Sequence, residues 1–183
     1  NKFIGQITLP VPGLHNLNNA IAAISACRLA GIPFNKLKES IQFLKSPDRR
    51  FDFRGIWKER QVVDDYAHRP SEIKATLSMA RLMINNEKSP LPQSAERLVV
   101  IFQPHRYTRT KQFLNEFAVA LGKADSVFLA PIYGAGEEDM GGLSSHSLAK
   151  KIQIINPQLN VIVAQNLDDL TDLIKKHSLK NDL

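Results

Sequence analysis

The sequence contains a single cysteine, Cys27, so no disulfide can form within the chain. The Ala- and Ile-rich helical stretch around it suits a small buried filler better than a reactive thiol. No apolar run approaches the ~20 residues a bilayer span requires, and no basic segment leads into an apolar stretch as in a signal peptide. The first residue is Asn1 rather than Met. These absences predict a soluble cytoplasmic protein cut from a longer chain. Like charges never gather in blocks of five or more, nor do aromatics interleave with them. The excess of 24 basic over 18 acidic residues therefore makes no nucleic-acid footprint, and neither nucleic acid nor membrane is expected as a partner. The phosphate-cradling pattern Gly-x-x-Gly-Lys-[Ser/Thr] is missing, as is any internal repeat. Asp64 and Asp65 have no further acid or histidine at ligand spacing, which leaves no metal site inside the chain.

What is present is an ordinary globular composition, 43% hydrophobic and 23% charged over 183 residues, enough for one core or one core and part of another. Residues 3–9 alternate like a strand and stop at Pro10 and Pro12. Residues 13–30 read as a helix ended by Gly31 and Pro33, and residues 34–44 as a second helix broken by Ser46, Pro47 and Asp48. A domain boundary is placed there, dividing 1–50 from 51–183. Strands are then expected at 51–57 and 61–65, and a helix at 70–84 with Pro70 at its first position. A surface loop follows at 85–96. Residues 97–102 form a short continuous apolar run, the mark of a strand covered on both faces. A helix at 110–121 carries Phe113, Phe117 and Leu121 on one stripe. Next come a strand at 126–130, a Gly-rich turn at 133–142, a helix from Ser144, a strand at 161–164 and a last helix at 166–176. This alternation predicts an α/β fold, with a Rossmann-like, mostly parallel sheet and helices on both faces.

In such sheets ligands bind beyond the carboxyl ends of the strands. Three polar clusters fall there: Asp65, Tyr66, His68 and Arg69; His105, Arg106 and Arg109; and Tyr133, Gly136 and Glu137. Arg106 and Arg109, three apart in a turn, could fork onto one carboxylate or phosphate, or could be capping or exposed charges. His68 and His105 could be a base, a donor or plain loop residues. A fourth cluster opens the first helix, where Asn16 and Asn19 lie one turn apart. Their amides could read an adenine edge, although Asn16 also suits a simple helix cap. Taken alone, each cluster keeps both readings.

Together the clusters resemble the Mur ligases. The motifs are Gly13-x-His15-Asn16-x-x-Asn19-Ala20-x-Ala22-Ala23; Arg49-Arg50-Phe51; Asp64-Asp65-Tyr66-Ala67-His68-x-Pro70-x-Glu72-Ile73; Phe102-Gln103-Pro104-His105-Arg106-Tyr107-Thr108-Arg109-Thr110; and Tyr133-x-Ala135-Gly136-Glu137. The Phe102–Thr110 element resembles the alanine-adding branch most specifically. A murein tripeptide ligase shares the Asp64 block but departs at that element. A stand-alone module holding a nucleotide or an amino acid without chemistry is the alternative from another class.

The resemblance implies a three-domain enzyme of peptidoglycan synthesis that joins L-alanine to UDP-N-acetylmuramate with ATP, through an acyl phosphate. Residues 1–50 would end its central ATPase domain and 51–183 would form most of its carboxy-terminal, amino-acid-binding domain. The chain alone is expected to be inactive, with the P-loop, the Mg2+ ligands and the UDP site elsewhere. By resemblance Asn16 and Asn19 would hold adenine, Arg50 would meet the nucleotide's phosphates or ribose, and Asp65 would bind ribose or order water near the phosphates. Arg106 and Arg109 would clamp the alanine carboxylate, with Tyr66, His68 and His105 around its amine. Asp65 and His68 are the expected catalytic residues. The family usually reads His-His-Pro-Thr-Glu where this chain has His68-Arg69-Pro70-Ser71-Glu72, so His68 is expected to keep the substrate role while Arg69 adds positive potential.

Overall fold

The computed structural model describes residues 3–11, 13–44, 49–84, 86, 89–139 and 141–183. Two units follow one another, Asn1–Arg50 and Phe51–Leu183. The first holds helices α1 (Leu14–Leu29) and α2 (Phe34–Ile41). Helix α1 stops where Gly31 takes a left-handed φ of 87°, a conformation that costs glycine nothing. Residues 3–9 are not a strand. Alternation makes a strand only where another backbone supplies N–H and C=O groups, and none does so among the described residues. Helix α2 ends three residues earlier than expected. Pro12 and the expected breakers Ser46, Pro47 and Asp48 lie outside the described residues. Cys27 is half-buried rather than buried.

The second unit opens with an antiparallel hairpin of β1 (Asp52–Trp57) and β2 (Arg60–Asp64). Its turn residues Lys58 and Glu59 have φ of 47° and 66°, the paired left-handed geometry whose twist matches that of the flanking strands. Helix α3 (Pro70–Met83) leads to β3 (Val99–Phe102), and α4 (Tyr107–Gln112) and α5 (Leu114–Leu121) lead to β4 (Ser126–Leu129). Helix α6 (Ser145–Ile155), β5 (Asn160–Val163) and α7 (Leu167–His177) complete the order. Strands β3, β4 and β5 lie parallel in that order, Ile101 beside Phe128 and Phe128 beside Ile162. The expected parallel sheet is thus present in three strands, while the first two strands pair as a separate hairpin.

Period-two alternation on β4 sorts its side chains between two cores. Val127 and Leu129 join Phe117, Leu121, Leu148 and Ile152 on one face, whereas Phe128 and Ala130 pack with Leu170 of α7 on the other. All four β4 residues are buried, as a strand covered on both faces requires. Strand β3 meets that expectation only in part. Phe102 is buried, but Ile101 is 54% exposed, because it lines an apolar slot between β2 and β3.

Residues 181–183 lie in line with that slot and join the hairpin to the parallel sheet. Gln61 N–H donates to the Asp182 carbonyl (3.0 Å) and Asn181 N–H to that of Glu59 (3.0 Å). On the other side Leu183 N–H donates to the Arg97 carbonyl (2.9 Å) and Val99 N–H to that of Leu183 (2.8 Å). Arg60 adds hydrogen bonds of 2.7 Å from Nε to Ser178 Oγ and from Nη2 to the Ser178 carbonyl.

A second tie holds α3 against the start of β4. Arg81 donates to both carboxylate oxygens of Asp125 at 2.6 and 3.1 Å, and Leu98 N–H donates to Asp125 Oδ2 at 2.7 Å. Burial alone would raise the Asp125 pKa, but these hydrogen bonds and the nearby arginines outweigh it and hold the carboxyl below its usual value. Asp125→Ala strands the Leu98 N–H and the guanidinium, and is expected to cost about 1–3 kcal/mol in urea unfolding. Because the folded-state pKa is depressed, this stabilisation is present above the ordinary aspartate pKa. It is lost as pH falls through the lowered one.

Candidate functional site

The polar clusters sit in the loops that leave β2, β3 and β4 at their carboxyl ends. Two of these loops continue to pair beyond the sheet. Arg106 N–H donates to the Tyr133 carbonyl and Tyr133 N–H to the Pro104 carbonyl, both at 2.8 Å, and the rings of His105 and Tyr133 stand 5.3 Å apart. This pairing follows from the parallel register of β3 and β4, which brings their exits to one edge.

After β2, Asp65 turns both oxygens onto backbone of its own unit. Oδ2 accepts from Phe51 N–H (2.9 Å) and Oδ1 from Ala67 N–H (2.7 Å). It therefore shapes the turn that presents Tyr66 and His68. The Tyr66 ring is half exposed and meets the His68 ring edge-on at 5.2 Å. His68 Nδ1 lies 3.0 Å from the Tyr66 carbonyl, and a carbonyl oxygen only accepts, so Nδ1 carries the proton. In the neutral ring the lone pair is then on Nε2. Glu72 Oε2 accepts from the N–H groups of His68 (3.0 Å) and Arg69 (3.2 Å) and lies 3.4 Å from His68 Nδ1. The sequence reading gave Glu72 no role. Its place three residues into a helix begun by Pro70 is the spacing from which a side chain reaches back to the amino-terminal backbone, and that was the available signal.

After β3, His105 and Arg106 lead into α4. Arg106 takes φ 71° and ψ 132°, a positive φ that non-glycine residues rarely adopt. Its carbonyl is fixed by the N–H (3.0 Å) and hydroxyl (2.8 Å) of the fully buried Thr110. The His105 pKa is lowered by burial first and then by the charges of Arg109, Arg106 and His68, with Glu137 opposing. The β2 and β3 loops therefore share one electrostatic environment, which disfavours a positive charge on His105. His105 Nδ1 is buried with no partner among the described residues, a cost that folds tolerate mostly at functional positions.

After β4, Glu137 reaches back to α4. Its carboxylate accepts from the Thr108 N–H (3.0 Å) and hydroxyl (2.6 Å) and lies 3.7 Å from Arg106 Nη1. Gly134 is required here, since a Cβ on it would come 3.2 Å from the Tyr107 ring and 2.8 Å from the Glu137 carbonyl. No hydrogen bond or ion pair engages the Arg109 guanidinium among the described residues.

Of the expected nucleotide-binding residues, Asp65 belongs to this second unit and Asn16, Asn19 and Arg50 to the first. Asn16 is half-buried and Asn19 exposed on α1, and Arg50 is exposed at that unit's end. The one-turn spacing of the two asparagines fits a pair of amides on one base edge. Among the described residues no group of three or more His, Cys, Asp or Glu side chains could hold a metal ion. No helix among them is long and apolar enough to cross a membrane.

The model of the family described as "Mur ligase, glutamate ligase domain" matches residues 49–183. A UDP-N-acetylmuramate–L-alanine ligase of Prochlorococcus marinus strain MIT 9303 is 59% identical over 182 residues, covering 100% of this chain and 37% of that protein. The protein of the same name from Synechococcus sp. strain CC9605 is 56% identical over 180 residues, 98% of this chain and 38% of its own length. The crystal structure of the UDP-N-acetylmuramate–alanine ligase of Thermotoga maritima superposes with a TM-score of 0.65 at 28% identity, over 96% of this chain and 34% of that one. This chain thus spans little more than a third of the length of the relatives it matches.

Proposed function

This chain belongs to the Mur ligase family, and from that premise we propose that it acts within a longer protein that joins L-alanine to UDP-N-acetylmuramate with hydrolysis of ATP to ADP and phosphate. The observation that carries this reading is the gathering of Arg106, Arg109 and His68 around His105, from the loops after β2 and β3, in a chain 59% identical to a protein named for that reaction.

An amino acid offers a carboxylate and an ammonium, and the site holds a complement to each. The two guanidiniums suit the carboxylate, since each can fork two N–H donors onto it. The Nε2 lone pair of His68, set by the Nδ1 contact to the Tyr66 carbonyl, suits the ammonium or takes a proton from it. A neutral His105 adds no positive charge to repel that ammonium. A free carboxylate is a poor acylating agent, so the muramyl carboxylate has to be activated as an acyl phosphate before the amine attacks. In this scheme Asn16, Asn19 and Arg50 contribute to the nucleotide side, and Asp65 contributes chiefly by shaping the His68 turn. Activation of the carboxylate belongs to residues outside this chain, and ATP, Mg2+ and the UDP sugar are partners of the longer protein, in the cytoplasm.

The test is ATP-dependent phosphate release by the full-length protein with UDP-N-acetylmuramate and L-alanine, against glycine, L-serine and the murein tripeptide. L-Alanine should give the highest kcat/KM. Equal release with the tripeptide would overturn the alanine assignment, and the absence of release with any acceptor would favour a binding module.

A further inference from the structure

We propose that Glu137 is a positioning residue for the amino-acid site, holding the Arg106–Thr108 segment from the neighbouring loop so that Arg106 is preset to meet the substrate carboxylate. This rests on the reading above and adds to it a residue that the sequence motif contains but to which no role was given.

The side-chain contacts of Glu137 all run to the loop after β3. Oε1 accepts from the Thr108 hydroxyl at 2.6 Å and Oε2 from the Thr108 N–H at 3.0 Å. These short bonds consume one lone pair on each oxygen and fix the first turn of α4 from outside. Arg106, immediately before that turn, has the positive φ of 71°, a conformation that persists only where its surroundings over-determine it. The Thr110 bonds hold its carbonyl side and Glu137 holds the following residue. Arg106 Nη1 itself stands 3.7 Å from Glu137 Oε1, beyond hydrogen-bonding distance. The carboxylate thus draws the guanidinium towards it without capturing it, and the guanidinium's donors stay available to a ligand. Hydrogen bonds from Thr108, with the Arg106 charge assisting, also keep the Glu137 carboxyl below its usual pKa, so it remains an anion throughout the neutral range.

A carboxylate beside Arg106 could instead compete with the substrate for it, and the two roles predict opposite signs. If Glu137 positions Arg106, removing it raises KM for the amino acid. If it competes, removing its charge lowers that KM. Glu137→Gln separates charge from geometry, because the amide oxygen still accepts from the Thr108 N–H and the amide NH2 donates to the hydroxyl.

The experiment measures steady-state kinetics of the full-length protein and its variants with L-alanine and ATP. Glu137→Ala is expected to raise KM for L-alanine on the order of 10–100-fold, as displacements of about 1 Å in a positioning group do. The kcat and the KM for ATP should stay within about 3-fold. Glu137→Gln should raise the L-alanine KM by about 3–10-fold, and Thr108→Val should be less than additive with Glu137→Ala. Should Glu137→Ala fail to fold, the near-isosteric Glu137→Gln decides by the same criterion. An unchanged or lowered KM for L-alanine in either variant would overturn the proposal, as would KM values for ATP and alanine rising together. If the wild-type protein releases no phosphate with L-alanine, the functional reading fails instead, and the two failures are thereby distinguished.

Discussion

Arg109→Ala is expected to raise KM for L-alanine by about 100-fold or more in the full-length enzyme, from the loss of two charge-assisted hydrogen bonds worth about 1.5–3 kcal/mol each. Arg109 gives the cleaner test than Arg106, because truncating Arg106 would also remove the guanidinium that faces Glu137. No ion pair draws on Arg109 among the described residues. Its charge is also the largest electrostatic influence on His105, which places it inside the cluster. Arg109→Lys should recover only a small part, since an ammonium cannot offer a fork to a planar carboxylate. Glycine shares the carboxylate and should lose as much as alanine, whereas KM for ATP should not move. A change below about 3-fold for alanine would remove Arg109 from the site and leave Arg106 as the sole candidate there.

Phe117→Ala should come close to unfolding the second unit. Phe117 is 1% exposed and packs against the rings of Phe102 (5.5 Å, 42° between planes) and Phe113 (6.5 Å, 88°). It therefore joins α5 to β3 at the level where the site loops begin. Truncating a buried Phe costs about 3–5 kcal/mol, against a total of about 5–15 kcal/mol for a typical domain. Urea unfolding followed through Trp57, the one tryptophan of the chain, should show a lower midpoint with an unchanged slope. A loss below about 1 kcal/mol would mean that neighbouring side chains close the cavity. Phe117→Leu, which keeps most of the volume, should recover much of the stability.

The parts of the fold legible in the sequence are those set by local periodicity. The stripe of Phe113, Phe117 and Leu121, the run at 126–130 and Pro70 at a first helical position each foretold an element that exists. Residues 3–9 misled because alternation is local and strand pairing is not. Ile101 misled because an apolar run does not reveal what covers each face. The expected helix at 110–121 begins earlier, at Tyr107, where Glu137 accepts from the N–H of Thr108, 29 residues away, and it breaks at Phe113. The loops that would carry the site were legible from the rule about strand ends. Which charges would meet within them was not, since that depends on the β3–β4 register. Asp65 illustrates this: the resemblance assigns it to the ribose or to water near the phosphates, while its bonds to the Phe51 and Ala67 N–H groups, which also brace the backbone, were not legible.

The seam made by residues 181–183 has a consequence for how the unit assembles. Arg60 and Ser178, which bond across it, are 118 residues apart. The hairpin β1–β2 can form within microseconds of its synthesis, but it cannot join the parallel strands until the residues after α7 have left the ribosome. Until then the inner edges of β2 and β3 face solvent as two unpaired, apolar borders, the kind of edge that recruits other chains. Closure of so long a loop makes the seam a slow, late step. A nascent chain stalled before residue 181 should therefore be the aggregation-prone species in the life of this domain, with the loop from β2 that carries His68 still detached from the arginines it works beside.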